Sequence, residues 1–192
     1  MSFSYFELEV LRIINVNRNQ DFDGFFQLIT NTAFYVAFGV PLILLIINKV
    51  LKNVNLGKKP WYLFSVVISS AVVSNILKYS INRPRPFITH PIIEKISAGG
   101  SPSFPSGHTS DAFAIATAIS IAYPKWYIII LAYTWAYTVA YSRMFLGVHY
   151  MSDVLAGMFL GVGIAFLYKI LLKEKFLRPT KWVSLWSTYY NK

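Results

Sequence analysis

The sequence predicts an all-α integral membrane helical bundle, with about five transmembrane helices plus an amino-terminal interfacial amphipathic helix. Three observations carry this expectation. Hydrophobic residues make up 55% of the 192 and charged residues only 14%, with a mean hydropathy of +0.48. That is too apolar for a soluble domain of this size. Apolar runs recur at about the 20 residues that a bilayer core requires. Aromatic residues reach 17%, with 13 Tyr and 5 Trp, and many stand at the ends of those runs, where interfacial belts form.

Taken in order, residues 5–16 place Phe6, Val10, Ile13 and Ile14 at helical spacing on one face, which predicts a helix lying on the bilayer surface. The polar break Asn17-Arg18-Asn19-Gln20-Asp21 follows, and Asp21 or Asp23 can cap the next helix. Span one covers roughly 28–49, with a kink expected at Pro41. A loop carrying Lys52, Lys58 and Lys59 leads to span two, roughly 61–81. A polar loop rich in Pro, Gly and Ser runs from about Asn82 to Pro105. Span three covers roughly 106–123, with Asp111 interrupting its start, and stops at Pro124-Lys125. Span four covers roughly 126–146, and a tight break near Gly147 precedes span five, roughly 150–172. The single domain therefore divides into an interfacial segment at 1–20, a transmembrane core at 21–172 and a basic cytoplasmic tail at 173–192.

The formal charge of +10 does not point to nucleic acid, because the cations flank the spans instead of forming one soluble face. The chain has no cysteine, which excludes disulfide and thiolate chemistry. No cleavable leader is expected, since Glu7, Glu9, Arg12 and Arg18 break any apolar core in the first 20 residues. With five spans, the end of span two, the start of span three and the turn between spans four and five share one side. Lys49, Lys52, Lys58, Lys59, Lys125 and the tail collect on the other, which the positive-inside rule makes cytoplasmic.

Three polar stretches fall on the first side. In the first, Lys78 stands in the last turn of span two and Arg85 is held between Pro84 and Pro86. An Arg fork and a Lys point charge together suit phosphate oxygens. Read alone, the segment is better explained as interfacial side chains snorkelling to the membrane surface, and Arg83 reads as one of these.

The second stretch, Pro105-Ser106-Gly107-His108, opens span three. Free backbone N–H groups and the helix dipole favour an anion there. Ser106 can donate a hydroxyl hydrogen bond, Gly107 permits close approach, and His108 can protonate a leaving oxygen. An ordinary capped helix start would look the same. In the third stretch, His149 and Asp153 lie four apart on one helical face, with Arg143 nearby. A carboxylate on one imidazole nitrogen leaves the other free as a nucleophile. A plain surface pair is the alternative. Zinc is disfavoured because the neighbouring Lys and Arg would repel it.

The ordered pattern Lys-x6-Arg-Pro, Pro-Ser-Gly-His and Ser-Arg-x5-His-x3-Asp resembles the type 2 phosphatidic acid phosphatase superfamily, with every motif position filled across about residues 21–170. That superfamily includes membrane lipid phosphatases, bacterial non-specific acid phosphatases and vanadium haloperoxidases. The resemblance implies that His149 attacks phosphorus, Asp153 orients it and His108 protonates the leaving group, then activates water. It implies that Lys78, Arg85, Ser106, Gly107 and Arg143 hold the phosphoryl oxygens, with no cofactor and no metal. The partner expected is a membrane lipid with a phosphate or pyrophosphate head group, met at the outer face of a bacterial inner membrane. Family members often have six spans, one more than is read here.

Two other readings stand beside this one. A non-catalytic lipid-binding or transport protein could reuse the scaffold, although intact His108, His149 and Asp153 argue against it. A vanadate-dependent haloperoxidase could share the pocket, although five spans argue against it. Asp111 lies on the His108 face, where it could pair with Lys78 or Arg143, tune His108, or simply wet the cavity. His90, Ser103 and Phe104 read as loop structure or as the lining of a head-group entrance.

Overall fold

In the computed structural model the described residues are 3–51 and 56–172. The regular structure among them is helical: α1 (Phe3–Asn15), a short 3-10 helix (Gln20–Phe22), α2 (Asp23–Val50), α3 (Lys59–Ile81), α4 (Pro86–Thr89), α5 (Gly107–Ala122), α6 (Trp126–Phe145) and α7 (Met151–Leu171). Lys52 and the basic tail, with Lys173, Lys175, Arg178 and Lys181, lie outside the described residues.

Small residues decide which face of α2 turns inward. Thr30, Ala33, Ala37 and Pro41 recur at three- and four-residue steps and are buried. Phe34, Tyr35, Leu42, Ile43 and Ile46 point outward. In α3, Pro60 sits in the first turn, where its missing N–H costs nothing. Tyr62, Val66, Ser70, Ser74 and Lys78 then line the inner face. The helix ends at Asn82, whose φ of 48° is a left-handed stop that asparagine tolerates. Its N–H donates to the Lys78 carbonyl at 2.8 Å.

The central helix is α5, which touches α2, α3, α6 and α7. It is rich in alanine, and ten of its 16 residues are buried, so neighbours approach closely on every side. Gly157 and Gly161 of α7 lie against the α5 backbone, a small-xxx-small contact of the kind that joins helices in a bilayer. Among the described residues, three segments are long and apolar enough to cross a membrane: Gln20–Val50, Lys59–Thr89 and Met151–Leu171. At 16 residues α5 spans only about 24 Å, and its neighbours shield it.

Two details differ from the sequence reading. Neither Asp21 nor Asp23 caps a helix with its side chain. Asn19 accepts from the Asp21 N–H at 3.0 Å and starts the 3-10 turn. Asp23 instead takes the Arg18 Nε–H at 2.8 Å, an ion pair that competes with capping. The second concerns α1. Its periodicity is helical as expected and Phe6 and Ile13 of its apolar stripe face outward, as a surface helix requires; what the sequence reading does not anticipate is the role of the opposite face. The face that docks on the bundle is Glu7, Leu11 and Asn15, because polar loop carbonyls and a cationic Arg83 offer it better partners than hydrocarbon does.

Candidate active site

The three polar stretches meet at one cavity of about 380 Å³, lined among others by Lys78, Arg85, His108, Asp111, Arg143 and His149. Each arrives from a different element.

Arg85 stands at the start of α4, where Pro84 and Pro86 fix the backbone on either side. Its Nε donates to the Ser101 carbonyl at 2.7 Å and its Nη1 to the Val148 carbonyl at 3.0 Å. Gly99 lies so close that a Cβ there would stand 2.8 Å from Nη1. Lys78 lines the cavity too, but its ammonium donates to the carbonyls of Pro102 at 2.9 Å and Pro105 at 2.7 Å. It therefore ties down the loop that leads into α5.

Ser106 is the residue before the first turn of α5. It is wholly buried and its Oγ accepts from Thr109 Oγ1 at 2.9 Å. The Ser106 N–H donates to the Asp153 carbonyl at 2.9 Å. Ser106 is not among the residues that line the cavity, whereas Gly107 and His108 form its wall. On α6, Arg143 is 2% exposed. Its Nη1 donates to Thr30 Oγ1, and its Nε has no hydrogen-bond partner among the described residues. A buried cation with an unused donor at a cavity is a ready anion ligand.

The turn from α6 to α7 places His149. Gly147 has a φ of +73°, and a Cβ there would collide with the Glu94 carbonyl oxygen, so only glycine fits. His149 Nδ1 stands 3.4 Å from Asp153 Oδ2, and its Nε2 stands 3.5 Å from Arg85 Nη1. Arginine can only donate. The Nε2 lone pair therefore faces Arg85 and the cavity, and the imidazole hydrogen sits on Nδ1 beside Asp153. Burial pushes His149 down to about 3; Asp153 resists this, while Arg143 and Arg85 reinforce it.

Asp153 is held from every side. Its Oδ2 accepts from Ser103 Oγ at 2.5 Å and from the Tyr150 N–H at 2.9 Å. Its Oδ1 accepts from Arg83 Nη1 at 2.7 Å. Arg83 is thus no free snorkelling side chain, since it ion-pairs with both Asp153 and Glu7. Ser103 likewise proves to be more than loop. Sequence spacing gave no signal for either, because both act on a residue 50 or more positions away. Asp111 pairs with neither Lys78 nor Arg143 by hydrogen bond; its Oδ1 accepts from Ser70 Oγ at 3.1 Å. His90 stacks edge-on to Tyr150 at the loop. Chemically, the cavity joins fixed cationic donors, a neutral imidazole lone pair on a carboxylate-backed ring and a second imidazole. Such a set can bind a tetrahedral anion and attack it.

Compared with known proteins, residues 59–177 match the PAP2 superfamily. An undecaprenyl-diphosphatase of Sulfolobus acidocaldarius is 31% identical over 84% of this chain and 76% of its own length. A lipid A 1-phosphatase of Rhizobium etli is 33% identical over 52% of this chain and 44% of its own. The chain spans less than half the length of the two Rhizobium lipid A 1-phosphatases that it matches. The crystal structure of Aquifex aeolicus LpxE aligns with a TM-score of 0.74 at 30% identity, over 84% of this chain and 93% of that one. That of a PAP2-type phosphatidylglycerolphosphate phosphatase from Bacillus subtilis gives 0.71 at 26% identity, over 88% and 85%.

Proposed function

Since the chain belongs to the PAP2 superfamily and is an integral membrane protein, we propose that it hydrolyses a phosphomonoester or pyrophosphate on a membrane lipid through a phosphohistidine at His149. The observation that carries this reading is the His149 ring. One nitrogen faces Asp153, and the other faces a cavity that Arg85, Arg143 and His108 also line.

In the first step the Nε2 lone pair of His149 attacks phosphorus, the bond from phosphorus to the lipid oxygen breaks, and that oxygen takes a proton from His108, which enters the step as an imidazolium favoured by the charge of the bound phosphate and leaves it as neutral imidazole. Asp153 balances the positive charge that develops on the ring. Arg85 and Arg143 hold the equatorial oxygens, where transition-state charge gathers. In the second step water attacks the phosphohistidine and gives its proton to His108. Inorganic phosphate leaves and both imidazoles return to their starting state. Lys78 and Ser106 serve by holding the loop and the start of α5, and the N–H groups beside Gly107 face the anion. The residues in the cavity complete this sequence without a metal or other cofactor.

We read α2, α3, α5, α6 and α7 as five spans. The three long apolar segments carry α2, α3 and α7, and α5 and α6 complete the same bundle, joined by a short turn at Tyr123, Pro124 and Lys125. The catalytic cavity then faces the exterior or periplasm, and residues 173–192 are cytoplasmic. The candidate substrates are undecaprenyl pyrophosphate, phosphatidylglycerol phosphate, phosphatidic acid and lipid A phosphate. The relatives that the chain resembles include phosphatases named for three of these classes. The test is phosphate release from all four lipids by detergent-solubilised protein in excess chelator, with His149→Ala as the blank. Turnover of at least one lipid, absent in the variant, is expected. Strict dependence on a divalent metal, or full activity in the variant, would overturn the mechanism.

A further inference from the structure

The amino-terminal helix carries a carboxylate into the back of the site. Glu7 is 3% exposed, an expensive placement for a charge unless it is fully paired. Its Oε1 accepts from the Ser152 N–H at 2.8 Å, one of the free donors at the start of α7. Its Oε2 accepts from Arg83 Nη2 at 3.0 Å. The other end of that guanidinium, Nη1, reaches Asp153 Oδ1 at 2.7 Å and Ser152 Oγ at 2.6 Å, and the plane lies 4.0 Å over the Tyr150 ring. A continuous chain of contacts therefore runs from Glu7 through Arg83 to Asp153 and, at 3.4 Å, on to His149.

The far end of α1 is fastened as firmly. Asn15 is fully buried. Its side chain donates to the carbonyls of Phe145 at 2.8 Å and Glu94 at 3.1 Å and accepts from the Glu94 N–H at 2.8 Å. Leu11, between them, packs on Ile93 and Tyr150. The helix is thus clamped to the two segments that present His149, the end of α6 and the start of α7. A helix that merely floated on lipid would have no need of three buried contacts, two of them polar.

Resting on the phosphatase reading above, we propose that α1 belongs to the catalytic apparatus, with Glu7 as a positioning residue that holds Arg83 on the outer oxygen of Asp153. The charge argument gives Glu7 a specific task. Arg83 anchors Asp153 geometrically, but an Arg83 cation leaning on Asp153 alone would weaken that carboxylate's pull on the imidazolium formed at His149. Glu7 shares the Arg83 charge, so Asp153 keeps both its position and its negative charge for the ring.

The test uses the full chain and the isosteric variants Glu7→Gln and Arg83→Gln, alone and together. Glu7→Gln retains an acceptor for the Ser152 N–H and removes the charge. Its kcat should fall by roughly ten- to a hundred-fold, the size of effect known for outer-shell partners of metal-bound histidines, while KM stays within about two-fold of the parent value. The double variant should be no slower than the slower single variant, since both substitutions break one linkage. A parent-like kcat in Glu7→Gln, or a double variant in which the two losses multiply, overturns the proposal. Imidazole 15N spectra provide a readout that needs no turnover. The parent should show His149 with its hydrogen on Nδ1, and Glu7→Gln should shift that population towards Nε2. If the parent hydrolyses none of the four lipids, the functional reading falls and the spectra alone decide the linkage. An unchanged His149 tautomer in Glu7→Gln overturns it.

Discussion

His149 shows how placement sets chemistry at the scale of a residue. An exposed histidine is half protonated near 6.5, but burial takes this one to about 3. Because its folded value lies below its unfolded value, the unfolded chain binds the proton first. His149 therefore lends its full stability above about pH 6.5, and that share declines as pH falls towards 3. In the free protein its ring should stay neutral, and so nucleophilic, throughout the physiological range. A titration of the histidine 15N signals would check this: the His149 resonance should not move between pH 7.5 and 5, and a midpoint near 6.5 would contradict it. The residues legible from sequence were those whose chemistry is short-range, such as His149 and Asp153, four apart on one helical face, or Arg85 between two prolines. Arg83, Ser103 and Glu7 were not legible, because their partners lie 50 to 145 positions away. A charged residue near a helix end looks the same whether it snorkels or grips an aspartate.

At the scale of elements, the helix order and most helix limits were legible because apolar length and proline stops act locally. What the sequence concealed was which face of a helix meets which neighbour. For α1 the apolar stripe faces outward, as a helix on the bilayer surface requires, but nothing in the spacing shows that Glu7 and Asn15 on the other face dock into the bundle. For α5 and α7 the deciding residues are glycines, which leave no hydrophobic signal. A Cβ on Gly161 would lie 2.7 Å from the Ala114 nitrogen and nearer still to the Ser110 carbonyl oxygen. These are backbone atoms that cannot rotate away, so the helices would have to part. Gly161→Ala should cost about 1–3 kcal/mol, the usual penalty of overpacking, and lower the melting temperature in detergent. Gly163 is the internal control. A Cβ there meets nothing within 4 Å, so Gly163→Ala should hold or raise the melting temperature, since alanine is the better helix former. Equal melting temperatures for the two variants would refute the close-packing argument.

For the whole molecule, the distribution of charge between the two ends of the bundle predicts which side of the membrane the cavity faces. At the cavity end, Glu7, Glu9, Asp21, Asp23 and Glu94 balance Arg12, Arg18, Arg83, Arg85 and Lys95, and much of that charge is consumed in the Arg18, Arg83 and Glu94 ion pairs. At the opposite end stand Lys49, Lys58, Lys59, Lys125 and Lys169, with no acidic residue among the described residues of that end. With Lys52 and the lysines and arginine of residues 173–192 counted on that side from the sequence, lysine and arginine are in excess there, which marks the cytoplasmic side. The ion-paired arginines at the cavity end are fixed in folded structure, whereas the lysines opposite flank bare spans. This predicts a cavity that opens outward. A chain without cysteine makes the test direct, because one introduced thiol reports one position. Ile92 and Lys125 are exposed at opposite ends. A membrane-impermeant maleimide applied to intact cells should label Ile92→Cys and spare Lys125→Cys until the membrane is permeabilised. The reverse pattern would place the cavity in the cytoplasm, and labelling of both in intact cells would mean that the short α5 does not cross the bilayer.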